Sequence, residues 1–512
     1  MSEALDKFIQ ILGAGYPATG SQLVLGAPLL GDFCSDSTPV RLPLKTLNRH
    51  GLIAGATGTG KTKTLQVLAE QLSLAGVPSL LMDIKGDLSG LAAPGAAGEK
   101  TLARHQRLGI PYEPQALPVE LLSLGDGAGV RMRATVSEFG PVLLGRILDL
   151  NDTQQSVLSL VFKFCDDRRL PLVDLKDMRS VLQHITTEGR DEVRREFGQV
   201  SSATTGIILR KIMELEQQGA DQFFGEPSFD PQDLLELRDG KGVLHIVRLI
   251  DLQDRPRLFS TFMLCLLAEI YATFPEVGDL EKPKLVLFID EAHLIFRTAS
   301  KALLEQLETI VKLIRSKGVG VIFCTQDPTD VPEAVLGQLG LKVQHALRAF
   351  TAKDRTAIKR TAENYPISSF YRTDELLTQL GIGEALVTAL SEKGTPTPLA
   401  HVLLRAPITR MDVLSTLEVD GLVARSQLAT KYGQDLDRES AHELLKKRIA
   451  EATPPPTPTA KTTHRAPAPP RSTLEEITRN PMARQVGNTI VRELTRGLLG
   501  VLGLRSTSRR RR

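Results

Sequence analysis

The stretch GLIAGATGTGKTKTL, Gly51–Leu65, constrains the fold of this chain more than any other. It matches GxxxxGK[ST] from Gly55 to Thr62, with an apolar strand-like run before it and a helix-like run after it. Glycines let such a loop turn its backbone N–H groups inward around phosphate oxygens, and the N-terminus of the following helix adds partial positive charge. Gly55, Ala56, Thr57, Gly58, Thr59, Gly60, Lys61, Thr62 and Lys63 are therefore the expected cradle for ATP. Lys61 is expected to reach the β- and γ-phosphates, and the Thr62 hydroxyl to ligate Mg²⁺. The same loop serves small-molecule kinases, regulators, transporters and motors, so the rest of the chain has to say what the energy is for.

Four short apolar runs lack the alternation of a strand with one wet face and read as buried strands of a parallel sheet. They are GLIAG (51–55), SLLMDI (79–84), KLVLFID (284–290) and GVIFCTQ (320–326). A fifth, GVLHIVRL (242–249), leads into LFSTFMLCLLAEIYATF, Leu258–Phe274. That segment is short for a membrane span and carries Ser260, Thr261 and Glu269, which favours a buried core helix. Strands separated by helical segments imply crossover connections and a doubly wound α/β fold. The core is expected over 44–89 and 241–410, after an N-terminal segment 1–43. The interval 90–240 reads as a mostly helical insertion, from segments such as NDTQQSVLSLVFKFCDDR and DLKDMRSVLQHITTEG. A helical extension is expected over 411–452, a Pro/Thr-rich linker over 453–473, and an amphipathic helix with a flexible basic tail over 474–512.

Composition narrows the class without naming a partner. At 512 residues, 42% hydrophobic and 24% charged, the chain resembles a soluble globular protein of more than one unit. Cys34, Cys165, Cys265 and Cys324 are scattered, which argues against structural zinc or a disulfide framework and fits a reducing compartment. The opening MSEALDKFIQ has no signal-peptide pattern, so the expected location is cytoplasmic. The net charge of +3 is uneven: from Thr453 onward 12 Lys/Arg face 3 Asp/Glu, giving +9 and leaving −6 for the rest. The basic tail suits DNA phosphates, an anionic membrane surface, or nothing beyond solvent. With 4% aromatics and no Trp, backbone tracking is favoured over an aromatic stacking platform.

A P-loop needs a second acidic site, and KLVLFIDEAH supplies one. Its strand delivers Asp290 and Glu291 to the carboxyl end of the sheet, where ligands of open α/β sheets sit. Asp290 is the expected Mg²⁺ holder and Glu291 the expected water-polarising group, which favours hydrolysis over transfer to a bound acceptor. Gln326 ends the next strand, either as a γ-phosphate sensor or as an ordinary hydrogen-bonded amide. Arg315 and Lys317 end a helix, where cations offset the dipole; the functional alternative for Arg315 is an arginine finger. Asp83, Lys85 and Asp87 in MDIKGDLSG are either a nucleotide-contacting loop or a polar strand exit.

Taken in order, RHGLIAGATGTGKT, DIKGD, FIDEAH, CTQDPTDVP and LGIGEALVTALSEKGTPTP resemble the motif series of HerA-like ATPases, in the superfamily of FtsK/HerA and VirD4/TraG-type motors. The likeness covers roughly Leu44 to Pro407 and is closest to a bacterial subgroup of HerA-like C-terminal-domain proteins. It implies a RecA-like P-loop core, a homo-oligomeric hexameric ring with ATP between subunits, and duplex DNA in a central channel. It also implies that Gln326 is a sensor and that Arg315 is a finger acting in trans, with Arg348 in VQHALRAF a competing arginine. HerA proteins proper carry an N-terminal β-barrel, for which the roughly 50 residues before the P-loop are too few. The expectation is an oligomeric Mg²⁺-dependent ATPase that moves or remodels duplex DNA. The alternatives are an ATP-gated scaffold or regulator acting on protein partners and, less favoured because Glu291 points to water, a small-molecule phosphotransferase.

Overall fold

The apolar runs become strands because each is covered on both faces, so no position along them has to be polar. A computed structural model of the chain describes residues 2–452 except 126, 253–254, 279, 299–300, 435 and 437–438. The linker expected at 453–473 and the helix and basic tail expected at 474–512 lie outside the described residues. The main strands are β1 (Gln22–Leu30), β2 (Gly51–Ala54), β3 (Ser79–Asp83), β4 (Val119–Ser123), β5 (Leu244–Arg248), β6 (Leu285–Ile289), β7 (Val319–Thr325), β8 (Leu341–Gln344), β9 (Glu384–Thr388) and β10 (Ala400–Leu404). They form one sheet in the order β1-β10-β9-β8-β2-β7-β6-β3-β5-β4, with two-residue strands at its margins. From β8 to β4 every pairing is parallel. The pairings β8–β9, β9–β10 and β10–β1 are antiparallel.

The chain divides into two compact units, 1–132 with 229–434, and 133–228 with the residues from 435 on. In the first, helices α1 (Ser2–Gly15) and α2 (Lys61–Leu74) cover one face of the sheet. Phe8 and Leu12 of α1 and Leu65, Leu68 and Leu72 of α2 share a core with Ile53, Val286, Phe288 and Ile322. Each such side chain contributes roughly 1.5–3 kcal/mol by leaving water. The alternate residues Leu52, Leu287, Val321 and Phe323 point to the opposite face and are also buried. The expected core helix is α3 (Pro256–Thr273), in which Leu258, Phe259, Phe262 and Met263 are buried. It precedes α4 (Lys301–Ile314) and α5 (Ala352–Glu363). Among the described residues no helix is long and apolar enough to cross a membrane.

The second unit is helical: Val136–Ile147, Asp152–Arg168, Leu175–His184, Arg190–Phe197, Ser202–Gln217 and Ala441–Ala452. Three starts are fixed by reciprocal capping boxes, Thr135 with Glu138, Asn151 with Gln154, and Asp174 with Asp177. The Ala441–Ala452 helix joins it through Ala441 N–H to Pro171 O at 2.9 Å and His442 N–H to Asp177 Oδ1 at 2.8 Å.

Two boundaries differ from the expected ones. The compact helical unit takes 133–228 rather than 90–240, because Val119–Ser123 is a strand of the main sheet. Its buried Glu120 breaks the apolar pattern, yet Arg238 and Ser426 satisfy that carboxylate. The interval 411–452 is shared between the units, with 411–434 in the first and Ala441–Ala452 in the second.

Candidate active site

Parallel register brings the carboxyl ends of β2, β7, β6 and β3 to one edge of the sheet. Ala54 pairs with Thr325, Ile289 with Phe323, and Ile289 with Met82. The residues next along each strand, Gly55, Gln326, Asp290 and Asp83, therefore emerge side by side.

The loop from Gly55 to Gly60 is held from three directions. Gly55 N–H donates to Thr325 O at 3.3 Å, Ala56 N–H to Ala346 O at 2.8 Å, and Gly383 N–H to Thr59 O at 3.1 Å. Gly55 lies so close to His345 that a Cβ there would meet the His345 Cβ at 2.5 Å. Gly60 caps α2 at φ 114°, a left-handed conformation that would strain any side chain by about 1–3 kcal/mol. Lys61 is buried, and its Nζ donates to Ala56 O at 3.1 Å across the loop. Burial above all lowers its pKa, while Glu291 and Asp290 act in the opposite sense. Thr62 is half-buried in the first turn of α2. Lys63 donates instead to Met411 O, so its ammonium is engaged away from the loop backbone.

Asp290 and Glu291 differ sharply in environment although they are adjacent. Asp290 Oδ1 accepts Glu291 N–H at 2.9 Å, whereas Oδ2 is buried without a hydrogen-bond partner. Burial, and then the Glu291 charge, push the Asp290 pKa up, and the Cys324 thiol lies against it. Glu291 has φ 47°, a left-handed position that costs an L-residue roughly 1–2 kcal/mol. Its carboxylate is gripped by Lys85 through an ion pair and by Gln326 Nε2 at 3.5 Å, with His293 Nδ1 lying 3.1 Å away. Burial raises its pKa, yet Lys85, His293 and Lys61 together bring it below the usual carboxylate value. Strain tolerated at a residue held this firmly is characteristic of functional sites.

Lys85 owes its position to Asp83. The buried Asp83 carboxylate accepts the N–H groups of Gly86 at 2.6 Å and of Asp87 and Leu88 at 3.1 Å, which folds the strand exit into a tight loop. Burial, helped by Asp87 and opposed by those N–H groups, raises its pKa to about 6. Asp83 thus shapes the loop while Lys85 reaches the candidate water-polarising residue.

The two arginines separate cleanly. Arg315 lies in a single turn before β7, at the opposite edge from Gln326 and roughly 20 Å away along a seven-residue strand. Arg348 follows β8, two residues beyond the Ala346 that holds the P-loop, and is exposed at the P-loop edge. Sequence reasoning gave no role to His293, His345 or Cys324. His293 had a signal in its spacing two residues after Glu291; His345, which meets Thr64 Oγ1 at 2.9 Å, and Cys324 had none.

The chain matches the family profile described as "Helicase HerA-like C-terminal" over residues 32–509. It is 20% identical over 371 residues to the DNA double-strand break repair helicase HerA of Sulfolobus acidocaldarius, covering 70% of this chain and 66% of that protein. To its namesake of Sulfurisphaera tokodaii it is 23% identical over 375 residues, covering 71% and 66%. The chain thus spans slightly less than two thirds of the length of these relatives. Among solved structures, the plasmid coupling protein TrwB in complex with the non-hydrolysable ATP analogue ADPNP superposes with TM-score 0.51 at 16% identity, covering 79% of this chain and 95% of that one. Unbound TrwB gives 0.50 at 17%, covering 79% and 94%. These likenesses are of fold, a RecA-like P-loop core built on a mostly parallel sheet. With a profile match across most of its length, the chain belongs to the HerA-like helicase C-terminal family.

Proposed function

We propose that this protein is a Mg²⁺-dependent ATPase that works as a homo-oligomer, a hexameric ring, and moves or remodels duplex DNA in the cytoplasm. The observation that carries the reading is one aligned sheet edge: Lys61 and Thr62 head α2, Asp290 and Glu291 follow β6, and Gln326 follows β7. The P-loop N–H groups and Lys61 hold the phosphates of ATP. Asp290, with a buried oxygen lacking a hydrogen-bond partner, and the Thr62 hydroxyl form an all-oxygen donor set suited to Mg²⁺. When bound, Mg²⁺ offsets charge on the phosphate oxygens. Glu291 polarises the attacking water, and Gln326 keeps its carboxylate oriented. Arg348 sits where it serves either its own or a neighbouring nucleotide, whereas Arg315 can act only on a neighbour's. The relatives named as DNA repair helicases support duplex DNA as the substrate.

The test is ATP turnover with and without duplex DNA, at low and moderate salt, alongside the native mass. The expected result is faster turnover with DNA and a mass that is a multiple of one chain. DNA-indifferent turnover by a single chain would overturn the reading. A second reading, a slow ATP-gated scaffold for a protein partner, is favoured by the Lys85–Glu291 ion pair, which must open before Glu291 can take a proton from water. It predicts slow, DNA-indifferent turnover with a native mass that changes with nucleotide.

A further inference from the structure

We propose that the segment from Arg348 through α5 is a contact surface for the phosphate backbone of duplex DNA, wired directly to the P-loop. The proposal rests on the motor reading and says where its substrate is gripped.

Between Arg348 and Arg360 the chain carries Arg348, Lys353, Arg355, Lys359 and Arg360 against the single anion Asp354. This excess of four positive charges stands out in a body, before Thr453, whose net charge is −6. All five cations are exposed. Arg348, Arg355, Lys359 and Arg360 take part in no ion pair among the described residues. Asp354 is occupied with the backbone: its Oδ2 accepts Phe350 N–H at 2.9 Å and Thr351 N–H at 2.8 Å in a capping box. It fixes the start of α5, and its charge also acts on Lys353. The helix is anchored by Ile358, buried in a core with Ala346, Tyr365, Leu377 and Leu386, which turns the cations outward. Phe350, 83% exposed, stands at the head of this surface.

The link to ATP is short. Ala346 O accepts the N–H of Ala56 in the P-loop, and the neighbouring His345 packs under Gly55 and meets Thr64 of α2. A displacement of the phosphate cradle is passed within a few residues to the cationic segment. Clustered, unpaired Lys and Arg side chains beside an exposed ring suit a regularly spaced polyanion, and binding through them follows counterion release.

The experiment compares the full chain with Lys353→Glu/Lys359→Glu/Arg360→Glu, with the milder triple Gln variant, and with Phe350→Ser, by anisotropy of a labelled duplex over a salt series. The Glu triple variant should bind at least roughly tenfold more weakly at low salt, with the slope of log affinity against log salt shallower by about 2 to 3. The Gln variant should show a smaller loss of the same kind, and Phe350→Ser a loss with little change of slope. Basal ATP turnover and native mass should stay as they are. Unchanged affinity and slope would overturn the surface while leaving the motor reading intact. So would a loss of binding that follows a changed native mass, which marks a subunit contact. Lost binding to anionic vesicles with duplex binding retained would also overturn it. Absence of duplex binding by the native chain removes both the motor reading and this surface.

Discussion

Two buried carboxylates at opposite edges of the sheet, Glu291 and Glu120, are treated very differently by their surroundings. Glu120 in β4 is saturated: Arg238 takes one oxygen, Ser426 the other, and Glu236 completes the arginine's pairing. Nothing about its backbone is unusual among the described residues, and its cluster behaves as a fastener joining β4, the 237–242 hairpin and the chain at Ser426. Glu291 sits at φ 47°, beside an Asp290 oxygen with no hydrogen-bond partner, under the hold of a half-exposed lysine. One cluster has finished its electrostatics; the other has left some undone. The difference teaches where to expect chemistry, because an incompletely satisfied, strained cluster is costly unless a ligand completes it.

The largest effect expected from breaking this contrast is at Glu291. Glu291→Gln should lower turnover by about 10²–10⁴-fold, the usual weight of a general base, with ATP affinity retained. Loss of affinity in step with turnover would make Glu291 another fastener. At the opposite edge, Glu120→Ala should cost about 1–3 kcal/mol in denaturant unfolding by leaving Ser426 and part of Arg238 unmatched, although Glu236 still pairs the arginine, with the Michaelis constant for ATP unchanged. Glu120→Leu with Arg238→Met should recover most of that loss, since an apolar pair of similar volume replaces a saturated ion pair well. Failure to recover would mean that the cluster has a role beyond fastening.

The smallest effect concerns His50, a neutral fastener at the Glu120 edge. It accepts Val321 N–H on Nδ1 at 3.0 Å, and its Nε2–H donates to Val311 O at 2.7 Å, tying the head of β2 to β7 and α4. Burial lowers its pKa to about 4, from about 6.5 in the unfolded chain. Between those values the unfolded state binds the extra proton, so stability falls as pH drops from about 6.5 towards about 4 and levels off below. The loss should be on the order of 1–3 kcal/mol, and His50→Asn should show less of it over the same interval. Since burial lowers the pKa of His245 and His345 in the same direction, the difference between native and variant unfolding curves is the quantity to read.

The parts of the fold legible in the sequence were those whose partners did not matter. β2, β3, β5, β6 and β7 could be read because strands covered on both faces are apolar at nearly every position. β4 and β8 could not, because Glu120 and Gln344 are buried polar groups satisfied by Arg238 and Ser426, and by Tyr365, residues distant in sequence. The aligned site followed the same rule. Strand ends announced Asp290, Glu291 and Gln326, but whether Lys85 met a phosphate or a carboxylate depended on how Asp83 folds its loop. Nothing local could place Arg315 and Arg348 on opposite edges; that depends on which end of a strand each one adjoins.

The antiparallel margin of the sheet has a consequence for how the protein is made. Gly26 and Ala27 in β1 find their partners at Leu404 and Leu403 in β10, so the sheet closes between segments almost four hundred residues apart. Tyr16 repeats the connection, its hydroxyl donating to Pro398 O at 2.7 Å. Such distant pairings are slow to form, and although Gly26 can pair early with Val40, a ribosome must deliver Leu404 before β1 can join β10. The strand β9 that begins at Glu384, with the preceding Gly383 steadying Thr59 of the P-loop, belongs to that same late-arriving margin. Of the three backbone contacts that hold the P-loop, the one from Gly383 is therefore the last to be delivered during synthesis.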